Sequence, residues 1–286
     1  MDRGRPNIIF IITDQQRYDT IAAQGFPHMD TPVLDRLAIE GASFSNCYVT
    51  GASCVPARAS LFSGCYPHTT GVINNASGWR HSWVERFASA GYHCVSIGKM
   101  HTQPMDEPAG FHTRLVVENK DRSQAIRGRE FEDEWDRELH QAGVEKPGKP
   151  TYQRLADYEE RLGAYEWPLP GALHSDVFVG SRTVRWLEEN PRREPLFLQI
   201  GFPGPHPPYD PPADCAAAYL AKDLPLEPRL SSLSTSSSLV IGAPLFVTCT
   251  TVLPSRLSVA ENAMSVLPQS MQFWKNSRTS AHCQLQ

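Results

Sequence analysis

Residues 8–12 read Ile-Ile-Phe-Ile-Ile, flanked by Asn7 and Thr13. No polar residue alternates within the run, so a strand formed here is apolar on both faces. A strand of that kind needs cover above and below, which is the situation of a parallel sheet with helices packed on each side. The run falls far short of the roughly 18 consecutive apolar residues that argue for a membrane span. Nothing else in the 286-residue chain approaches that length. The strand breaks off sharply at the polar sequence Asp14-Gln15-Gln16-Arg17.

The rest of the chain fits the same plan. Tyr92 to Ile97 and Pro195 to Gly201 are two more buried-strand patterns. Helices are predicted from Thr31-Pro32 through Glu40, over Ser53–Phe62 with Pro56 in the first turn, over Ser82–Ala90, and over Ser175–Asn190. A short strand is expected over Ala42–Val49. Residues 103–172 are polar and Pro-rich, with helical pieces near 130–141 and 151–162, and read as an insertion over the sheet's edge. The alternation predicts an α/β fold: a mostly parallel central sheet with helices on both faces.

Composition sets limits and exposes a break. Twenty-seven basic and 31 acidic residues give a net charge of −4, which offers no electrostatic case for a nucleic-acid partner. A hydrophobic content of 41% excludes a chain disordered throughout. Thirty of the 31 acids lie in residues 1–228, whereas 229–286 hold only Glu261 and contain 12 serines. One domain is therefore expected over 1–228, followed by a disordered or aberrant tail. The N-terminus runs directly into the first strand and leaves no room for a signal peptide, so a cytoplasmic protein without membrane attachment is expected. There are seven cysteines and no Cys-x-x-Cys pair, which argues against a thiolate zinc site.

In open α/β sheets, ligands sit beyond the carboxyl ends of the strands. Three strand ends here carry polar groups: Asp14-Gln15, Lys99-Met100-His101, and the loop holding His206. Each alone has an ordinary reading as a cap or a solvated side chain; together they mark one end of the sheet. The segment Cys54-Val55-Pro56-Ala57-Arg58 adds the chemistry. Cys54 falls at a predicted helix N-terminus, where free N–H groups and the helix dipole favour anions. Arg58 follows one turn later on the same face. A nucleophile-capable side chain, a helix end and a fixed cation suit attack on an anionic ester. The ordinary alternative is a buried cysteine with Arg58 in a structural ion pair.

These residues resemble the sulfatases of the alkaline-phosphatase superfamily. Cys54, Pro56 and Arg58 fill the family's Cys-x-Pro-x-Arg signature, and Ser60-Leu61-Phe62-Ser63-Gly64, Tyr66-Pro67-His68 and Gly71 continue it. Gly91-Tyr92 leading to Gly98-Lys99-Met100-His101 is similar to a second signature. Pro6-Asn7-Ile8-Ile9 with Asp14-Gln15, the helix start Asp30-Thr31-Pro32-Val33-Leu34-Asp35, and Pro205-His206-Pro207-Pro208-Tyr209 resemble three more, over roughly residues 5–228.

The resemblance implies an alkaline-phosphatase-like fold and hydrolysis of a small-molecule sulfate ester. It implies that a formylglycine-generating maturation enzyme converts Cys54 to formylglycine, whose hydrate attacks sulfur and later expels sulfate. It implies a divalent metal, typically Ca²⁺, held by Asp14, Gln15 and the Cys54-derived group. Lys99 and His101 would hold sulfate oxygens, Arg58 would orient the nucleophile, and His206 would protonate the leaving oxygen. Gln15 stands where many members have a second Asp, so a phosphonate monoester or phosphodiester hydrolase is the alternative within hydrolases. The family's later Asp-His or Asp-Asn pair, a further Lys and the C-terminal subdomain have no counterpart. A C-terminally truncated, catalytically dead fragment is therefore the third reading.

Overall fold

The computed structural model describes residues 5–17, 20–118, 125–126, 129–161, 163–191, 194–220, 222–224 and 246–252. Its strands are β1 (Asn7–Thr13), β2 (His93–Gly98), β3 (Thr113–Val116), β4 (Ala125–Ile126), β5 (Arg129–Glu130), β6 (Leu196–Phe202) and β7 (Phe246–Val252). Five of them form one sheet in the order β3-β2-β6-β1-β7, while β4 and β5 pair separately. β6 runs parallel to β1 on one side, from Ile8↔Phe197 to Thr13↔Phe202, and parallel to β2 on the other. β3 is parallel to β2, and β7 is antiparallel to β1. The mostly parallel sheet expected from the apolar runs is therefore present.

The helices are α1 (Pro32–Glu40), α2 (Cys54–Ser63), α3 (Pro67–Thr70), α4 (Val84–Ser89), α5 (Glu134–Gln141), α6 (Lys149–Gln153), α7 (Tyr158–Arg161), α8 (Ser175–Glu189) and α9 (Ala213–Leu220). Side chains alternate across a strand, and β1 sorts its residues accordingly. Ile9 joins Val95, Ile97, Leu198 and Ile200 against Trp135 and Leu139 of α5 and Phe178, Val179 and Trp186 of α8. Phe10 and Ile12 join Cys94 and Phe197 against Val55, Ala59 and Phe62 of α2 and Val84 of α4. Both faces are covered, as an apolar run without alternation requires. No helix among the described residues is long and apolar enough to cross a membrane.

Some sequence expectations change. Ala42–Val49 forms no strand, and its Phe44 and Tyr48 are exposed. No described strand runs beside it, and a lone strand leaves its backbone groups without partners. Thr113–Val116, inside the expected insertion, is the sheet's edge strand β3. Within the 229–286 tail, residues 246–252 form β7, consistent with β-branched Val247, Thr248, Thr250, Thr251 and Val252. The remainder of that tail lies outside the described residues.

β2 and β6 come unusually close where they end. Lys99 N donates to Gly201 O at 2.8 Å. A Cβ at Gly201 would lie 2.1 Å from Lys99 O, and one at Gly98, whose φ is +100°, would lie 2.1 Å from Gly201 O. Backbone meets backbone here, so neither position has a side chain that could move aside. Gly201→Ala is expected to lower the unfolding free energy by about 1–3 kcal/mol, as read from urea denaturation.

Candidate active site

The carboxyl ends of β1 and β2, together with helix α2, bring three of the expected residues to one place. Asp14, directly after β1, is buried at 3% exposure. Lys99, directly after β2, is fully buried, as is Arg58 on the second turn of α2. Asp14 Oδ2 accepts from Arg58 Nη2 at 3.1 Å and lies 2.9 Å from Lys99 Nζ. Arg58 Nη1 donates to Lys99 O at 2.9 Å, and Gln199 Nε2 donates to that carbonyl from behind at 3.4 Å. Burial pushes the Asp14 carboxyl up, but Lys99, Arg58 and His206 together hold it below the usual carboxylate range.

Two buried cations thus face one buried carboxylate. Lys99 Nζ is close to Asp14 but poorly aligned for a hydrogen bond, and Arg58 Nε has no hydrogen-bond partner. Buried donors without acceptors are rare and call for an explanation. An anion that entered here would supply both acceptors and the missing negative charge.

Cys54 opens α2, as the sequence predicts. The first turn is held by a residue that sequence reasoning missed. Asn75 Oδ1 accepts from Val55 N at 3.1 Å and from Ser53 Oγ at 2.6 Å, while its Nδ2 donates to Cys54 Sγ at 3.5 Å. An Asn in the pair Asn74-Asn75 reads locally as a turn residue, so only the folded chain reveals the cap. Arg58, one turn on, links Cys54's helix to Asp14 and Lys99.

His101 takes a left-handed backbone conformation, φ 58°. Its N–H donates to Glu118 Oε1 at 3.0 Å, and Trp79 Nε1 donates to its carbonyl at 3.3 Å. Glu118 N in turn donates to Asp133 Oδ2 at 2.9 Å. Asp133 caps α5 by accepting from Asp136 N at 2.8 Å. Gln15 also has a positive φ, 59°, and its amide donates to the Tyr209 hydroxyl at 3.5 Å. His206 Nδ1 donates to Pro207 O at 2.7 Å. A carbonyl can only accept, so Nδ1 carries the proton in this contact.

The expected metal site is not completed by these donors. Asp14 and Gln15 offer one carboxylate and one amide oxygen, and Asp14 Oδ2 already faces two cations. Calcium takes six to eight oxygens. Among the described residues no group of three or more His, Cys, Asp or Glu is arranged to hold a metal. The local charge suits an anion better than a cation.

Comparison with known proteins places the chain among relatives of one family. A family model described as Sulfatase matches residues 6–239. An arylsulfatase of Clostridium perfringens is 29% identical over 237 residues, covering 77% of this chain and 47% of its own length. A phosphonate monoester hydrolase of Agrobacterium radiobacter shares the fold with a TM-score of 0.61 at 20% identity, over 98% of this chain and 59% of that one. A structure solved with its substrate D-glucosamine-2-N,6-O-disulfate has a TM-score of 0.56 at 23% identity, over 78% of this chain and 39% of that one. The chain thus spans less than half the length of the curated arylsulfatase it matches.

The ion-pair geometry makes an asymmetric prediction. Asp14→Asn strands two buried cations and is expected to lower stability by about 3–5 kcal/mol. Lys99→Met leaves Arg58 paired with Asp14 and should be much milder. Chemical denaturation of both variants checks this.

A second prediction concerns pH. Burial pushes the Asp133 carboxyl up to about 6, with Asp136 adding to the rise and Lys146 opposing it. The folded chain therefore holds this proton more tightly than the unfolded chain. The stability contributed is complete below about pH 4 and is lost as pH rises through about 6. Asp133→Ser keeps a cap acceptor but no titrating group. Its unfolding free energy should fall less steeply between those limits.

Proposed function

The chain belongs to the sulfatase family, and from that premise we propose that it hydrolyses the sulfate ester of a small molecule. The observation that carries this reading is the pair of buried cations, Arg58 and Lys99, set against the single carboxylate of Asp14 beside the helix that begins at Cys54. A sulfate monoester carries one negative charge, which balances the excess. Its non-bridging oxygens give Lys99 Nζ and Arg58 Nε the acceptors they lack.

Cys54, converted to formylglycine by a maturation enzyme, supplies as its hydrate the oxygen nucleophile. The chain's own residues do the rest. The α2 N-terminus, kept in shape by Asn75, turns the positive end of the helix dipole toward the reacting group. Arg58 orients the nucleophile against Asp14, and Lys99 stabilises charge building on the sulfate oxygens. His101, held in its strained turn by Glu118, lies beyond the same strand end and adds a second contact to sulfate. His206, with its Nδ1–H donating to Pro207 O, acts in its imidazolium form and gives its Nε2 proton to the ester oxygen as the S–O bond breaks. Were a divalent cation bound here, Asp14 and Gln15 would be the side chains to hold it, but they supply only a minority of the oxygen donors that calcium takes.

A second reading stays within hydrolases. A phosphonate monoester also carries one negative charge, and Gln15 in place of a carboxylate leaves the cradle equally suited to it. Comparing aryl sulfate with aryl phosphonate turnover separates the two.

The test begins with the protein co-produced with a maturation enzyme. Mass spectrometry should find formylglycine in the Cys54 peptide, and Cys54→Ala should abolish turnover of an aryl sulfate. His206→Ala is expected to reduce turnover about 10²–10⁴-fold. The loss should be larger for alkyl than for aryl leaving groups, which need protonation less. An unmodified Cys54 thiol together with unchanged turnover in Cys54→Ala would exclude this chemistry.

A further inference from the structure

Asp176 lies outside every motif described above, yet it is tied to the site. It occupies the second position of α8 and is 9% exposed. Its Oδ1 accepts from Gly204 N at 2.8 Å. Its Oδ2 packs so closely that a Cβ at Gly204 would lie 2.1 Å from it. The same glycine uses its carbonyl to accept from Asp14 N at 3.0 Å. One residue of the β6 loop therefore joins the α8 carboxylate to the site carboxylate. His206 lies two residues further on, and its N–H donates to Pro203 O at 3.3 Å, closing the turn around Gly204.

The other end of the loop has separate anchors. Tyr152 donates to Asp210 Oδ2 at 2.6 Å. Tyr209 N donates to Gly163 O at 3.0 Å, and Tyr165 N donates to Tyr209 O at 2.9 Å. Those bonds reach the 103–172 region and touch neither Asp14 nor Gly204. The start of α8 is itself oriented, because Asp176 N donates to His174 Nδ1 at 3.3 Å. Asp176, Gly204 and His206 also line one small cavity.

We infer that Asp176 is a positioning residue: through Gly204 it sets the spacing between the anion cradle at Asp14 and the proton donor His206. The inference rests on the ester-hydrolase reading for its functional consequence and on geometry alone for the coupling. Cradle and donor come from different strands, and a reacting group held between them needs both at once. A displacement of about 1 Å in such an arrangement reduces rate about 10²-fold.

The experiment uses the full chain with Asp176→Ala and Asp176→Asn. Asparagine can still offer an oxygen to Gly204 N–H; alanine cannot. Amide hydrogen exchange is read at Gly204, at Asp14 and, as an internal control, at Ile9 in mid-strand. In Asp176→Ala, exchange at Gly204 and Asp14 is expected to quicken about tenfold or more while Ile9 is unchanged. Aryl sulfate kcat should fall about 10²-fold with KM little altered. Asp176→Asn should restore both. Should Asp176→Ala fail to fold, Gly204→Ala, whose Cβ displaces the Asp176 carboxylate, is expected to give the same pattern. Unchanged exchange at Gly204 and Asp14, or an asparagine variant as impaired as alanine, overturns the inference. If the wild-type chain turns over neither aryl sulfate nor aryl phosphonate, the hydrolase reading falls instead, and exchange at Gly204 and Asp14 still decides whether Asp176 couples the two.

Discussion

The site is organised around one buried carboxylate. Asp14 sits beyond strand β1, with Arg58 and Lys99 both drawn in against it. Removing three charges from water is costly, and only close pairing and added hydrogen bonds offset it. Each partner is accordingly fixed by something else. Arg58 spends its second terminal nitrogen on Lys99 O, and Lys99 is delivered by the glycine crossing of β2 and β6. The ion cluster thus joins helix α2 to the strand ends more specifically than apolar packing alone does.

Charge balance then decides what the cluster can do. A single carboxylate against two cations leaves an uncompensated positive charge in a place that excludes water. In low dielectric such an excess attracts an anion strongly. That is the physical basis of the proposed binding of a singly charged ester, whose oxygens would answer the donors Arg58 Nε and Lys99 Nζ. The same excess disfavours a divalent cation held by Asp14 and Gln15 alone.

Around this centre lies a second set of polar contacts that hold backbone in place. Glu118 holds the left-handed turn at His101, Asn75 holds the first turn of α2, and Asp176 holds Gly204. Each accepts from a backbone N–H that belongs to, or lies within two residues of, a residue with a proposed chemical role. Precise placement of reactive groups on loops requires such support, because the loops lie beyond the hydrogen bonding of the sheet.

The sequence by itself determined the buried strand at Asn7–Thr13, the helix beginning at Cys54, and the polar groups at three strand ends. These are local facts: an apolar run without alternation, a proline in a first helical turn, an abrupt change from Ile to Asp. It did not disclose that β6 lies between β2 and β1, that Thr113–Val116 extends the sheet, or that residues 246–252 pair with its other side. Nor did it separate a catalytic from a structural Arg58. Strand order and the packing it imposes bring Asp14 to a residue 44 positions away, and Asn75 to Cys54 across 21. Side chains that far apart meet through tertiary packing, which propensity and periodicity within a few residues do not encode. Only the folded chain therefore decided that two cations share one carboxylate, and with it the charge excess on which the proposed anionic substrate rests.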